Sequence, residues 1–155
     1  MKRIVASVLV LSFLFLNSCG KTDTGCQPVP VANEKAQLVA YCNANNITYT
    51  EHASGLLYQI ITPGTGNSPV SSSTVSVVYT GKLFDNTVFD ASANPYTNLL
   101  SNLIDGWKIG IPLIKKGGRI KLIIPSALAY SCTGSGTKIP PNSPIFFDVT
   151  LTDFY

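Results

Sequence analysis

Six short segments carry the side chains with chemical potential: Tyr79-Thr80-Gly81, Phe89-Asp90, Leu103-Ile104-Asp105-Gly106-Trp107, Ala129-Tyr130, Ile139-Pro140-Pro141 and Phe146-Phe147-Asp148. Together they offer aromatic faces, the only tryptophan of the chain, phenol hydroxyls and a few carboxylates. Such a set suits a pocket that grips an apolar ring over Trp107 and aims a few hydrogen bonds at it. It does not suit proton transfer or metal chemistry. His52 is the only histidine, sits among polar residues and reads as a surface side chain; no Cys-x-x-Cys exists and no metal site is expected. Gly64-Thr65-Gly66 lacks the third glycine and the βαβ setting of a dinucleotide loop. The serines around Gly134-Ser135-Gly136 lack a nucleophile-elbow pattern. Asp85 and Asp90 are candidates for paired carboxylates, but turn chemistry accounts for Asp85-Asn86. No cofactor is implied.

Short β segments have to position these residues. The pattern predicts strands over 47–51, 55–62, 74–84, 118–124 and 144–154. Thr74-Val75-Ser76-Val77-Val78-Tyr79 and Phe147-Asp148-Val149-Thr150-Leu151-Thr152 alternate apolar with polar, as an antiparallel sheet with one covered face requires. One helix-like stretch, from about Asp105 to Ile114, interrupts them, with Asp105 as its expected cap and Gly117-Gly118 as its stop. Pro112 makes that helix short or irregular. Ahead of the strands, Leu38, Tyr41 and Cys42 share one face of a predicted helix capped by Asn33. The fold class is therefore α+β: a curved antiparallel β-sheet wrapped over one short α-helix, with an added N-terminal helix.

The chain of 155 residues carries 11 basic and 8 acidic residues. Two of the basic ones, Lys2 and Arg3, precede an apolar run from Ile4 to Leu16, the pattern of a secretory signal. Without them nine basic residues face 8 acidic ones, a balance near +1 that favours no charged partner. The basic residues of 115–121 read as a solvated turn and strand, and nucleic acid is not an expected partner. Leu16-Asn17-Ser18-Cys19 resembles a bacterial lipobox, which makes Cys19 the expected lipid acceptor and membrane anchor. Residues 20–32, with Pro28, Pro30, Gly20 and Gly25, then read as a tether. Of the four cysteines, Cys42 reads as a buried apolar side chain, which leaves Cys26 and Cys132 as the expected disulfide in an oxidising compartment.

The order and spacing of the six segments resemble the FKBP-type peptidyl-prolyl cis-trans isomerases, over about residues 55–154. The resemblance covers the Tyr-Thr-Gly strand end, the acidic turn before Phe-Asp, the Leu-Ile-x-Gly-Trp helix start, Ala-Tyr, Ile-Pro-Pro and the final Phe-Asp-Val strand. It implies isomerisation of X–Pro bonds, with Asp90, Tyr130, Trp107 and Phe89 as catalytic residues. Tyr79, Tyr96, Leu103, Ile104, Ile139 and Phe147 would bind substrate. Phe89, Trp107 and Phe147 would hold the pyrrolidine ring, Ile104 would offer its N–H to a carbonyl and Tyr130 its hydroxyl. A non-catalytic chaperone or docking module on the same pocket is the competing expectation.

The resulting organisation is a lipoprotein signal peptide over 1–18, a tether over 19–32, an N-terminal helix over 33–46 and an FKBP-like domain over 47–155. Expected partners are proline-containing polypeptides, a membrane through the lipid anchor, and the family's macrolide-type inhibitors. The expected location is the cell envelope, with the periplasmic face of the outer membrane preferred because Gly20, not aspartate, follows Cys19. Against the family pattern, Asn98 replaces a usual aromatic, Ser131 stands where glycine is common, Asn86 takes a turn glycine's place, and the segment between Asp90 and Leu103 is short.

Overall fold

The computed structural model describes residues 25–155. The expected signal segment 1–18, the expected lipid acceptor Cys19 and the first part of the expected tether lie outside them. Among the described residues two α-helices, α1 (Val31–Ala44) and α2 (Asp105–Gly110), accompany six strands: β1 (Thr50–Glu51), β2 (Leu57–Thr62), β3 (Thr74–Leu83), β4 (Val88–Leu99), β5 (Arg119–Ile124) and β6 (Ile145–Phe154). They form one antiparallel sheet in the order β1-β2-β5-β6-β3-β4. No described helix is long and apolar enough to cross a membrane.

The period-two alternation of the strands sends their side chains to two separate cores. Val75, Val77, Ile120, Leu122, Ile124, Ile145, Phe147, Val149 and Leu151 face the main core, which α2 closes with Trp107 and the following turn with Ile111. On the opposite face Ile123 and Phe146 meet Leu38, Tyr41 and Cys42 of α1. Covering both faces at that end explains the consecutive apolar pairs Ile123-Ile124 and Phe146-Phe147. Tyr41 stacks on Phe84 at 4.2 Å, and burial pushes its hydroxyl up to about 12. A 14-residue helix is marginal alone, so this buried face holds α1, each Leu-sized side chain contributing roughly 1.5–3 kcal/mol.

Helix α2 approaches β5 closely because its two glycines face the sheet. A Cβ at Gly106 would lie 2.5 Å from Ile124, and one at Gly110 would lie 2.5 Å from Leu122.

Four local expectations are corrected. Asn33 does not cap α1: the helix starts two residues earlier, Pro30 occupies the cap position, and the Asn33 N–H donates to the Pro30 carbonyl at 2.9 Å. Asp105 is the first residue inside α2 rather than its cap; its carboxylate pairs with Lys108 at 2.7 Å. Helix α2 ends at Gly110 and tightens into a 3₁₀ turn over Ile111–Leu113, where Pro112 removes a backbone donor. Strand β4 is absent from the sequence reading, because only Phe89 of its inner positions is buried and Pro95 interrupts it. Pairing with β3 creates it as an edge strand, where proline is tolerated; its register slips between Val77 and Tyr79.

The structure joins Cys26 to Cys132 in a disulfide, with Cα atoms 5.3 Å apart. Cys42 remains a free, buried thiol, raised to about 11 by desolvation. Half-buried His52 holds a local turn, its Nδ1 lying 2.9 Å from the Ser54 hydroxyl.

Candidate ligand pocket

The pocket assembles where β3, β4 and β6 curl over the start of α2. Trp107 lies in the first turn of α2 and is only 4% exposed. Phe147 crosses it nearly at right angles at 4.9 Å, Tyr79 does so at 5.2 Å, and Phe89 meets Phe147 edge-on at 5.4 Å. Edge-to-face packing of this kind locks each ring against its neighbour. A cavity of about 120 Å³ remains, lined by Tyr79, Asp90, Tyr96, Leu103, Ile104, Trp107, Tyr130 and Phe147. It adjoins a second cavity of about 290 Å³ that shares Asp90 and Tyr130 and adds Phe89, Ser135, Lys138 and Ile139.

All ten residues singled out in the sequence therefore line these two adjoining cavities. Phe146 and Asp148, from the same segment as Phe147, point to the other face of the sheet. There Phe146 packs under α1, and Asp148 accepts two hydrogen bonds from Arg119 at 2.7 and 2.8 Å. Period two separates neighbours that the motif places side by side.

Polar groups at the pocket are few. The Tyr79 hydroxyl donates to Asp90 Oδ2 at 2.7 Å. Burial, and after it this bond, push that phenol far above its ordinary range. Burial likewise raises Tyr130, with the Asp90 charge as a further cause. Both phenols thus stay protonated, and remain donors, throughout the neutral range. Among the described residues the Tyr130 hydroxyl donates to no group, and the Ile104 amide donates to no backbone carbonyl. The Trp107 indole N–H is buried without an acceptor.

Sequence reasoning passed over Ser135 and Lys138, whose loop carries no chemical motif, and the grip on Tyr96. Asn98 donates to the Tyr96 hydroxyl at 2.8 Å while its own oxygen accepts from the Leu99 N–H at 2.8 Å. The amide that replaces a usual aromatic is thus tied to a pocket wall. Its polarity was legible; its partner was not.

The departures at Asn86 and Ser131 also have a backbone meaning. Both adopt positive φ, 70° and 52°, the region glycine enters most easily. Asn tolerates it better than Ser. Ser131→Gly is expected to stabilise the protein by about 0.5–1 kcal/mol, after the entropy that glycine adds to the unfolded chain. Urea unfolding reads this directly, and a midpoint that stays put or falls counts against strain at Ser131.

Comparison with known proteins identifies the family. The sequence model of the FKBP-type peptidyl-prolyl cis-trans isomerases matches residues 66–152. The chain belongs to that family. It is 43% identical over 121 residues to a probable FKBP-type peptidyl-prolyl cis-trans isomerase FkpA of Neisseria meningitidis, covering 76% of this chain and 44% of that protein. With FkpA of Escherichia coli K12 the identity is 46% over 104 residues, covering 65% and 38%. The chain thus spans less than half the length of these curated relatives. The crystal structure of Escherichia coli FkpA superposes with a TM-score of 0.71 at 40% identity, over 80% of this chain and 60% of that one. A peptidyl-prolyl cis-trans isomerase from Pseudomonas syringae superposes at 0.69 and 30% identity, over 83% and 98%. Helix α1, β1 and β2 precede the residues that the family model matches.

Proposed function

We propose that the chain is a peptidyl-prolyl cis-trans isomerase that binds the proline ring of a polypeptide over Trp107. The observation that carries this reading is the small aromatic cavity with unengaged donors at Ile104 and Tyr130. At about 120 Å³ it is far smaller than the 300–1,000 Å³ typical of drug-sized ligands and suits a single ring. Phe89, Trp107 and Phe147 hold the pyrrolidine, Tyr79, Tyr96, Leu103 and Ile139 flank it, and Asp90 sits beside the rotating bond.

A site without a proton-transfer residue is adequate for this reaction. Rotating an X–Pro bond breaks no covalent bond; the barrier of roughly 18–20 kcal/mol comes from amide resonance. Water favours the charge-separated planar amide, so an aromatic pocket favours the less polar, twisted form. The Ile104 N–H and the Tyr130 hydroxyl can then hydrogen-bond the twisted geometry better than the planar one, and only such differential binding accelerates the step. Uncatalysed, the isomerisation takes about 10–100 s.

Exchange NMR on a short X–Pro peptide tests this. The chain lacking residues 1–19 should accelerate exchange, and Asp90→Val and Trp107→Leu should each lose at least about tenfold, equivalent to about 1.4 kcal/mol. No acceleration by the parent would leave only a proline-docking module. Equal acceleration by all three folded proteins would reject the site.

The same reading places the protein in the cell envelope, lipid-anchored at Cys19, on the periplasmic face of the outer membrane, acting on secreted or envelope polypeptides. The Cys26–Cys132 disulfide supports an oxidising compartment. Macrolide-type inhibitors of the family are expected ligands of the same pocket.

A further inference from the structure

Tyr130 lies in the long connection between β5 and β6, a segment of 3₁₀ turns with no strand of its own over Ser126–Thr133. Yet a donor in a catalytic pocket has to be held to within about 0.5 Å. Local bonds supply part of the rigidity: the Tyr130 carbonyl accepts from the Gly134 N–H at 3.0 Å and the Thr133 hydroxyl at 2.8 Å. Those bonds keep the turn in shape but do not fasten it to the body.

Leu128, Ala129 and Tyr130 pack against the main core, and two polar or covalent contacts from the N-terminal segment fix the turn further, one on each side of Tyr130. On one side Glu34 of α1, only 5% exposed, accepts from the Ser126 N–H at 2.7 Å and from the Ser126 hydroxyl at 2.6 Å. Ser126 is fully buried and opens the turn that leads to Tyr130. On the other side Cys132 is bonded to Cys26. Both partners come from a region that the family match at 66–152 does not include.

Glu34 is an expensive way to hold a loop. No cation pairs with it among the described residues, so a buried carboxylate relies on neutral donors alone, where an apolar contact would bury surface at no such cost. What the carboxylate adds is direction. Its two oxygens take the N–H and the O–H of one residue, which defines the position and the orientation of Ser126 together.

We propose that Glu34, reinforced by the Cys26–Cys132 bond, is a positioning residue that acts through Tyr130, so that the N-terminal helix is a working part of the isomerase site. This rests on the isomerase reading of Tyr130. A donor displaced by about 1 Å can cost up to a hundredfold, so Glu34→Ala in the full chain should lower kcat by roughly tenfold with KM little changed. Glu34→Gln should recover most of it, because its oxygen can still accept from the Ser126 N–H and its amide can donate to the Ser126 hydroxyl. Cys26→Ser should act in the same direction, scored per folded molecule.

The deciding experiment is a double-mutant cycle by exchange NMR on an X–Pro peptide, combining Glu34→Ala and Glu34→Gln with Tyr130→Phe. If Glu34 acts through the Tyr130 hydroxyl, Glu34→Ala should cost nothing further once that hydroxyl is gone. Losses that multiply, or a Glu34→Ala variant with the parent's kcat, overturn the proposal. Amide exchange gives an independent readout: Gly134 should exchange faster in Glu34→Ala while Val149 of β6 keeps its protection, and uniform loss across the sheet points to a merely structural role. If Glu34→Ala does not fold, Cys26→Ser takes its place in the cycle with Tyr130→Phe, scored per folded molecule, and losses that multiply overturn the proposal. A parent chain that gives no acceleration sinks the isomerase reading itself, an outcome separate from losses that multiply.

Discussion

Gly81→Ala is expected to close the pocket and to cost about 1–3 kcal/mol of stability, the usual range for overpacking a filled core. Gly81 lies on β3, two residues beyond Tyr79 and on the same face. A Cβ there would sit 2.5 Å from Cε1 of Phe147 and 2.7 and 2.8 Å from two atoms of the Phe89 ring. Neither ring can yield easily: Phe147 is 3% and Phe89 5% exposed, and each is the other's edge-to-face partner. The strain therefore falls on two walls of the site, and one added methyl should reduce acceleration of X–Pro exchange by at least about tenfold, or 1.4 kcal/mol. Urea unfolding and exchange NMR on the same sample measure both effects. A variant with the parent's midpoint and rate would show that these rings move freely, contrary to the packing.

Opening the Cys26–Cys132 bond should produce the largest loss of stability. The two cysteines are 106 residues apart, so the bond closes a loop that contains α1, α2 and five of the six strands. Loop-closure entropy assigns about 4.7 kcal/mol to a loop of some 100 residues, within the 2–5 kcal/mol typical of native disulfides in small secreted domains. By comparison, the exposed ion pairs Lys35–Glu51 and Lys116–Asp153 contribute about 0–1 kcal/mol each. Adding reductant during urea unfolding should lower the midpoint substantially, and Cys26→Ser should match the reduced parent. An unchanged midpoint would mean that the bond closes little of the unfolded chain's freedom.

How much was legible follows from what each signal is made of. Five of the six strands announce themselves through alternation or β-rich composition, and those signals depend only on local residues. Strand β4 does not. Its inner face carries almost nothing buried, its middle holds Asn94-Pro95, and only the hydrogen bonds offered by β3 make it a strand. The start of α1 near Asn33 and the start of α2 at Asp105 differ from the sequence reading for a related reason. Both residues are good caps in isolation, but the preceding chain already continued or bent in a way that put them inside the helix.

The pocket residues stand in the sequence as types in a fixed order, and the resemblance of that order to the FKBP-type family is what named Trp107, Phe89, Phe147, Tyr79, Asp90 and Tyr130. Aromatic side chains next to glycines carry a strong signal because little else can both fill and shape a small cavity. Three things were decided only by the tertiary structure. The sheet's pleat split Phe146 and Asp148 from Phe147; the fold brought Asn98 to Tyr96 and Glu34 to Ser126; and the crowding above Gly81 made a glycine obligatory there. Each depends on which face a residue takes or on a neighbour that pairing supplies, where residue type is known but surroundings are not: Asn98 reaches Tyr96, two residues away, only because both lie on β4, a strand that β3 creates. The sequence by itself determined the set of aromatic and hydroxyl side chains from which the pocket is drawn, since their chemistry is written in the chain; which of them face the cavity, and which other residues hold them there, was settled by packing alone.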